Sequence, residues 1–545
     1  MKKKIFKKII SAVLVGTMVF SLAACGGSKD KDTKDSSSTK TETTETTETT
    51  DSSSSTDAAA STIDTSKHET IKFVVLGNRP TNGRLEAMLE KLNAILTEKV
   101  NAELEIQYVE WADWQTQYNL LLASGDDTID LITTATDWLD AWPNIKKGSF
   151  MPLTEDMLKT YAPQTFATVP AENWDKCSYD GQIYLVPEDN YTQYTNHGLY
   201  YRGDWAKEFG LSTVSSFADF GKYLQGVKDN KQDVVPWDVS GTAANGNALA
   251  GGYIQSNTSN IVIEGVPIGL STLFYGASKD DLYTVVSPYM DGTTFEDFAV
   301  MMKQWADAGY WREDVLNYDG DTREEFKAGQ TGADQHHTQT YVTDVRPNMD
   351  IKQPGSEVQM FSFSEPSKNL VKTSITHGCV AIGANSKHPE RALMVYDLLR
   401  NDEECYRLIN YGIEGSDYII TSDGKLDRPE GWDKSVDSLD SNFWCGRNDD
   451  LELENAQNFA GTADIYANYD TYAIDYPYGK FVFDNSNVST QIAAMADVCA
   501  NYIPRIAFGK VDDPKAIVAE FRDQLKAAGY DDVLKEVQNQ LNASK

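Results

Sequence analysis

The sequence predicts an α/β protein built on a mainly parallel sheet. Three observations carry that prediction. Short apolar, β-branched runs alternate with longer stretches whose apolar residues recur every three or four positions. The alternation starts at Ile71 and is sustained to Thr134. Strands that alternate with helices pair in parallel, with helices covering both faces of the sheet. Finally, the chain is 545 residues long, room for two or three domains once its leader is set aside.

The leader comes first. Lys2, Lys3, Lys4, Lys7 and Lys8 precede an apolar run from Ile9 to Phe20, and Leu22-Ala23-Ala24-Cys25 follows. A basic start, a short apolar core and small residues before a cleavage point describe a secretory signal. The run falls short of the ~20 residues of a membrane span. Leu-Ala-Ala-Cys resembles the lipobox of bacterial lipoproteins, which implies cleavage before Cys25 and lipid on Cys25. Gly26 to about Lys67 is nearly all Ser, Thr, Asp, Glu, Lys and Gly, including Thr41-Glu42-Thr43-Thr44-Glu45. Without apolar periodicity it cannot form a core and reads as a tether.

The body reads in order as follows. Ile71–Gly77 is a buried strand, and Arg84–Val100 a helix with Leu85, Met88, Leu89, Leu92, Ile95 and Leu96 on one face. Ala102–Val109 is a strand, Trp111–Ser124 a helix, and Thr128–Thr134 a strand. Ligands collect at the carboxyl ends of such strands, here Asn78-Arg79 and Thr134–Trp138. Phe217–Val227 reads as a helix, Val234–Val239 as a strand and Thr294–Ala308 as a helix with Trp305 on its apolar side. Thr331–Asp334 is a strand running into His336-His337, and Ser374–Ile382 another. Ser386 is placed to cap the next helix, with Pro389 in its first turn. Asp513-Pro514 opens a late helix and Gly529 stops it.

Composition excludes several functions. Lys and Arg number 49 against 82 Asp and Glu, a net charge of −33. That balance opposes binding to a phosphate backbone, so nucleic acid is not an expected partner. Cys25 aside, five of the six cysteines remain, an odd number without close pairs, so they read as buried thiols rather than a disulfide framework. There is no Gly-rich phosphate loop, no His-Glu-x-x-His, no Gly-x-Ser-x-Gly and no Cys-x-x-Cys. His336-His337 with Asp334 is the one metal-like cluster. Neighbours on a strand point to opposite faces, so a sugar hydroxyl suits one of these imidazoles better than a shared ion suits both. No cofactor is expected.

Several segments together resemble the extracellular solute-binding proteins of bacterial ABC importers, from the group that binds oligosaccharides. They are the lipobox, the helix ending Leu120–Asp126, Ile129–Ile132, Ile183–Pro187, Gly198–Trp205, Phe326-Lys327-Ala328-Gly329 and the Ser386-Lys387-His388-Pro389-Glu390 helix start. Asn410–Tyr418, Phe481–Asp484 and Leu525–Tyr530 are similar to a lipoprotein subgroup whose C-terminal region has no assigned function. The resemblance implies a two-lobed periplasmic-binding-protein-like fold of type II, each lobe a mainly parallel sheet flanked by helices, with hinge crossovers between them. It divides the chain into a signal peptide over 1–24, a lipidated tether over 25–67, a first lobe from 68–196 and 373–412, and a second from 197–372 and 413–545. It implies a monomer, anchored by lipid outside the cell, that captures an oligosaccharide by hinge closure without catalysis and passes it to the importer's permease subunits. The alternatives are the same fold serving another solute such as a peptide, or a surface glycoside hydrolase.

A sugar site needs flat aromatic faces for C–H surfaces and planar polar groups for hydroxyls. Segments matching the family's cleft loops offer Asn78, Arg79, Asp137, Trp138 and Trp142 from the first lobe. Asn190, Tyr191, Tyr194 and Asn196 lie on the approach to the crossover. Trp237, Asp238, His336 and His337 come from the second lobe, and Tyr478 from a late aromatic segment. Arg79 and Asp137 could instead pair with each other.

Overall fold

The main strands, in chain order, are β1 (Glu69–Leu76), β2 (Ala102–Val109), β3 (Leu131–Thr134), β4 (Val186–Pro187), β5 (His197–Tyr201), β6 (Ala333–His337), β7 (Gln359–Ser362) and β8 (Cys379–Ile382). The structure, a computed structural model, describes residues 63–188, 194 and 196–545. The expected signal peptide, Cys25 and nearly all of the tether lie outside the described residues, as do Asn190 and Tyr191. Among the described residues no helix is long and apolar enough to cross a membrane.

The first sheet has the order β2-β1-β3-β8-β4. β1 pairs in parallel with β2 along its whole length, Glu69 opposite Ala102 through Leu76 opposite Val109, and β3 joins its other edge in parallel. β8 then returns antiparallel to both β3 and β4. Helix α1 (Arg84–Val100) buries the stripe Leu85, Met88, Leu92, Leu96 and Val100, the 3.6-residue period of its sequence made physical. Helix α2 (Trp114–Ser124) follows a 3₁₀ turn over Trp111–Asp113.

The apolar cores fall into two sets. One gathers β1–β4, β8 and the helices that cover them, from Ile71 to Cys445. The other gathers Leu199 to Phe363 with Tyr478 to Leu541. The molecule is accordingly a two-lobed α/β protein. The second sheet departs from the expected parallel pairing: β5 lies between β6 and β7 and is antiparallel to both. Its strands are edge to edge with a single crossing strand that runs the other way, so no right-handed β-α-β unit arises there.

Three segments cross between the lobes and lie side by side. Tyr194 bridges Lys372, and Val371–Lys372 pairs in parallel with Ile474–Asp475. The third crossing corrects the expected division. Leu439, Phe443 and Cys445 pack in the first core, so the chain stays with that lobe well beyond residue 412 before it returns near Ile474.

Further differences concern local structure. Val234–Val239 forms no strand; only Val235 makes a bridge, to Thr331, because Pro236 has no N–H to extend a ladder. Helix α3 (Ala243–Asn257), whose N-terminus is capped by the Thr242 hydroxyl, is absent from the sequence reading. Ser386 is not a helix cap: the helix opens after His388 without a side-chain cap bond, and the Ser386 hydroxyl donates to Asp130. The strand read over Ser374–Ile382 is a 3₁₀ turn over Ile375–His377 followed by Cys379–Ile382. Trp305 is core as expected, Pro389 opens its helix at the first position, Asp513 caps the next-to-last helix, and the five cysteines are buried free thiols.

Candidate functional site

Two adjoining cavities of about 580 and 370 Å³ open between the lobes beside the crossing segments. Trp138, His197 and Glu264 line both. The smaller one takes Asp137, Trp138 and His377 from the first lobe, Tyr194 and Thr373 from the crossings, and Glu264, His337, Thr338 and Tyr466 from the second. The larger is walled mainly by α3 and the loops around Asn260 and Thr272.

Asp137 and Trp138 reach the cleft because β3 ends at Thr134 and its chain turns outward there. Asp137 Oδ2 lies 2.6 Å from His377 Nδ1. Burial disfavours charge on His377, but Asp137, then Glu188 and Glu264, outweigh it and push its pKa up to about 9. Glu188 is itself buried beside it, and burial raises its carboxyl to about 8. Gly378 eases the close approach, because a Cβ there would meet Glu188 Oε1 at 3.1 Å and push the carboxyl aside. Glu264, reaching in from the other lobe, is raised to about 8 by burial and then by Asp137. A protonated imidazole thus sits among three carboxyl groups drawn from both lobes.

Aromatic faces flank this charge. Trp138 donates its indole N–H to the His377 carbonyl at 3.3 Å. It packs against Trp111, Trp114 and Trp444 with ring centroids 6.2, 5.4 and 5.4 Å away. Across the cleft, Tyr194 stacks on Tyr466 at 5.8 Å and donates its hydroxyl to Asp470. His197 is kept neutral by burial, with a pKa near 4. Burial, then repulsion from His197, holds His337 near 3.

Of the expected site residues, Asp137, Trp138, Tyr194 and His337 line the cleft. Others do not. Asn78 and Arg79 are exposed at the end of β1, where Asn78 accepts from the Trp111 N–H and Arg79 pairs with Glu86 at 3.0 Å. The alternative Arg79–Asp137 pair is absent, since each already has another partner. Trp237 is 1 % exposed and packs edge-on against Phe220 and Trp311. The turn forced by Pro236 points it into the second core. Asp238 is clamped by Arg312 through two bonds of 2.7 and 2.5 Å. Asn196 is buried between Thr338 and Ser362. Trp142 and Tyr478 flank a narrow gap of about 20 Å³, where the Tyr478 hydroxyl donates to the Leu282 carbonyl.

His336 accompanies His337 but lies off the cleft wall, bonded to Thr340 at 2.9 Å. Their rings are 4.1 Å apart, not on opposite faces. The strand ends at His337, which caps the following turn by accepting from the Thr340 N–H, so the alternation of side chains stops there. Asp334 is engaged by Arg323.

Residues 90–411 match the family described as bacterial extracellular solute-binding protein, and residues 477–545 match a domain of unknown function. A carbohydrate ABC transporter substrate-binding protein of Streptococcus pneumoniae serotype 4 (strain ATCC BAA-334 / TIGR4) is 25% identical over 497 residues, 88% of this chain and 91% of that protein. Among solved structures, the N-glycan transport solute binding protein of Streptococcus pneumoniae in complex with Man1GlcNAc is 21% identical, with a TM-score of 0.67 over 87% of this chain and 99% of that one. The alginate-binding protein AlgQ2 without calcium ion is 18% identical, with a TM-score of 0.63 over 87% and 98%. These likenesses are of fold.

Proposed function

Because this chain belongs to the bacterial extracellular solute-binding proteins, we propose that it captures an oligosaccharide in its interlobe cleft and delivers it to an ABC importer. One observation carries the reading: both lobes contribute polar groups to the same cavity, between aromatic faces and beside three adjacent crossing segments. Trp138 and Tyr466 offer flat surfaces to the apolar side of a sugar ring, while Asp137, Glu264 and His337 reach for its hydroxyls. Closure brings Glu264 and Asp137 onto one ligand from opposite sides, so the ligand favours the closed state by touching both lobes at once. The carbohydrate-transport name of the relative from Streptococcus pneumoniae agrees with this chemistry.

The protein performs no reaction on its cargo, and the importer's separate ATPase supplies the energy. Cys25, modified with lipid, tethers a monomer to the outer face of the cell membrane through the Ser- and Thr-rich segment. Calorimetric titration with an oligosaccharide panel tests the binding reading; recovery of the ligand intact after a day separates capture from hydrolysis. Mass spectrometry of the membrane fraction tests Cys25: a Cys25→Ala protein that stays with membranes as the wild type does would remove the anchor.

A further inference from the structure

The two cavities share a chemical bias: their walls accept hydrogen bonds and carry no free positive charge. Among the described residues that line them there is no Lys or Arg. His197 and His337 are neutral, and the charge on His377 is taken up by Asp137 at 2.6 Å. Arg323 and Lys372, on bordering elements, are held by Asp334 and Asp470 at 3.0 and 3.3 Å. Glu264, whose carboxyl burial raises to about 8, is mostly protonated at neutral pH and adds little charge of its own.

The acceptors are unspent. Asp137 Oδ1 and Asn247 Oδ1 are buried with no hydrogen-bond partner, a state costly enough to call for a donor from a ligand. Amide nitrogens in the larger cavity already donate to backbone carbonyls: Asn247 once, to Ala243, Asn260 once, to Ala277, and Asn369 twice, to Thr258 and Asn260. Their carbonyl ends remain as acceptors. Sugar hydroxyls supply the missing donors. A uronate or sialic acid carboxylate supplies none: it would set acceptor against acceptor at Asp137 and Asn247, and the walls hold no free cation to take up its charge.

We infer that the ligand is a glycan free of acidic groups, and that Asp137, through its unpartnered Oδ1, is the residue that excludes acidic ones. The inference rests on the sugar-capture reading and narrows it: fold likeness extends both to an N-glycan-binding protein and to an alginate-binding one, and the wall chemistry separates them.

The test is calorimetric titration of the full folded chain with three probes: a neutral mannose–N-acetylglucosamine oligosaccharide, a hexuronate oligosaccharide of similar length, and a sialylated one. The neutral probe is expected to bind more than about tenfold tighter than either acid. Residual hexuronate affinity should rise with salt, as screening weakens repulsion from a chain of net charge −33. Asp137→Asn, which can turn an amide donor to the ligand in place of the unpartnered oxygen, should narrow the ratio between neutral and acidic probes. Hexuronate binding equal to or tighter than neutral binding, or falling with salt, overturns the inference and leaves sugar capture standing. Binding of no carbohydrate overturns both.

Discussion

Replacing Asp137 by Asn removes the carboxylate 2.6 Å from His377 and keeps the shape of the side chain. The consequence follows from the pKa of His377, raised from 6.5 to about 9. A rise of that size is worth about 3 kcal/mol. The proton is held more tightly folded than unfolded, so the contribution is whole below about pH 6.5. It falls as pH climbs, because only the folded state still binds the proton, and it is gone above about pH 9. With Asp137 neutral, burial is opposed only by Glu188 and Glu264, and His377 should titrate much lower. The variant should therefore be destabilised by up to about 3 kcal/mol near pH 6 and far less near pH 9.5. Glu188 and Glu264 also weaken the fold as pH rises through their raised values, but that trend is common to both proteins and largely cancels in the difference. Urea denaturation at the two pH values measures it, and proton NMR of the six imidazoles locates the titrating ring. A wild type with no imidazole titrating above about pH 8, or a variant equally destabilised at both pH values, would refute the reasoning.

Three further outcomes are expected. Trp138→Ala should weaken glycan binding by about 1–3 kcal/mol, read by calorimetry, through loss of a stacking face. Trp237→Ala should cost about 3–5 kcal/mol of stability by opening a cavity in the second core, with the dissociation constant of the folded fraction unchanged; a binding defect without destabilisation would return Trp237 to the site. Arg312→Ala should cost about 2 kcal/mol in urea denaturation by leaving Asp238 buried without its partner, since the guanidinium is partly exposed and also loses its place over Tyr318, 3.5 Å away.

The first lobe was legible because its signals are local. The alternation over Ile71–Thr134 is a pattern of side chains that must be buried on one face or on both, and period alone separates strand from helix there. The second lobe was less so. α3 carries Gly246, Gly251, Gly252 and three Asn residues, a composition that disfavours an isolated helix. It forms because close packing rewards those glycines: a Cβ on Gly252 would strike the Phe363 ring at 2.2 Å, and one on Gly246 would lie 3.3 Å from Pro504 Cα. Tertiary contact outweighs propensity there, and no window of sequence contains Phe363 or Pro504 together with α3. The antiparallel second sheet escaped for a related reason. Its strands are separated by more than a hundred residues in one step, so their direction is set by topology rather than by any neighbouring pattern.

The site divides along the same line. Asp137 and Trp138 were found because a rule about strand ends applies to β3 without knowledge of the rest of the fold. Trp237 and Asp238 satisfied the same apparent rule and failed it, because Pro236 cancels the strand whose end they were meant to mark. Glu264 and His377 followed no rule: one stands after a two-residue strand over Ile261–Val262, the other in a 3₁₀ turn over Ile375–His377. His377 meets Asp137 across 240 residues of sequence. Separated, each is an unremarked acid or base on a chain of net charge −33. Brought together, one imidazolium shares its charge among carboxyl groups of two lobes, and the lobes hold apolar cores of their own. A hinge that moves the cores must therefore change the distance between Glu264 and the Asp137–His377 pair. Ligand closure and the protonation of this cluster are then linked quantities, and a proton taken up or released on glycan binding, read from titrations in buffers of different ionisation enthalpy, is the direct measure of that linkage.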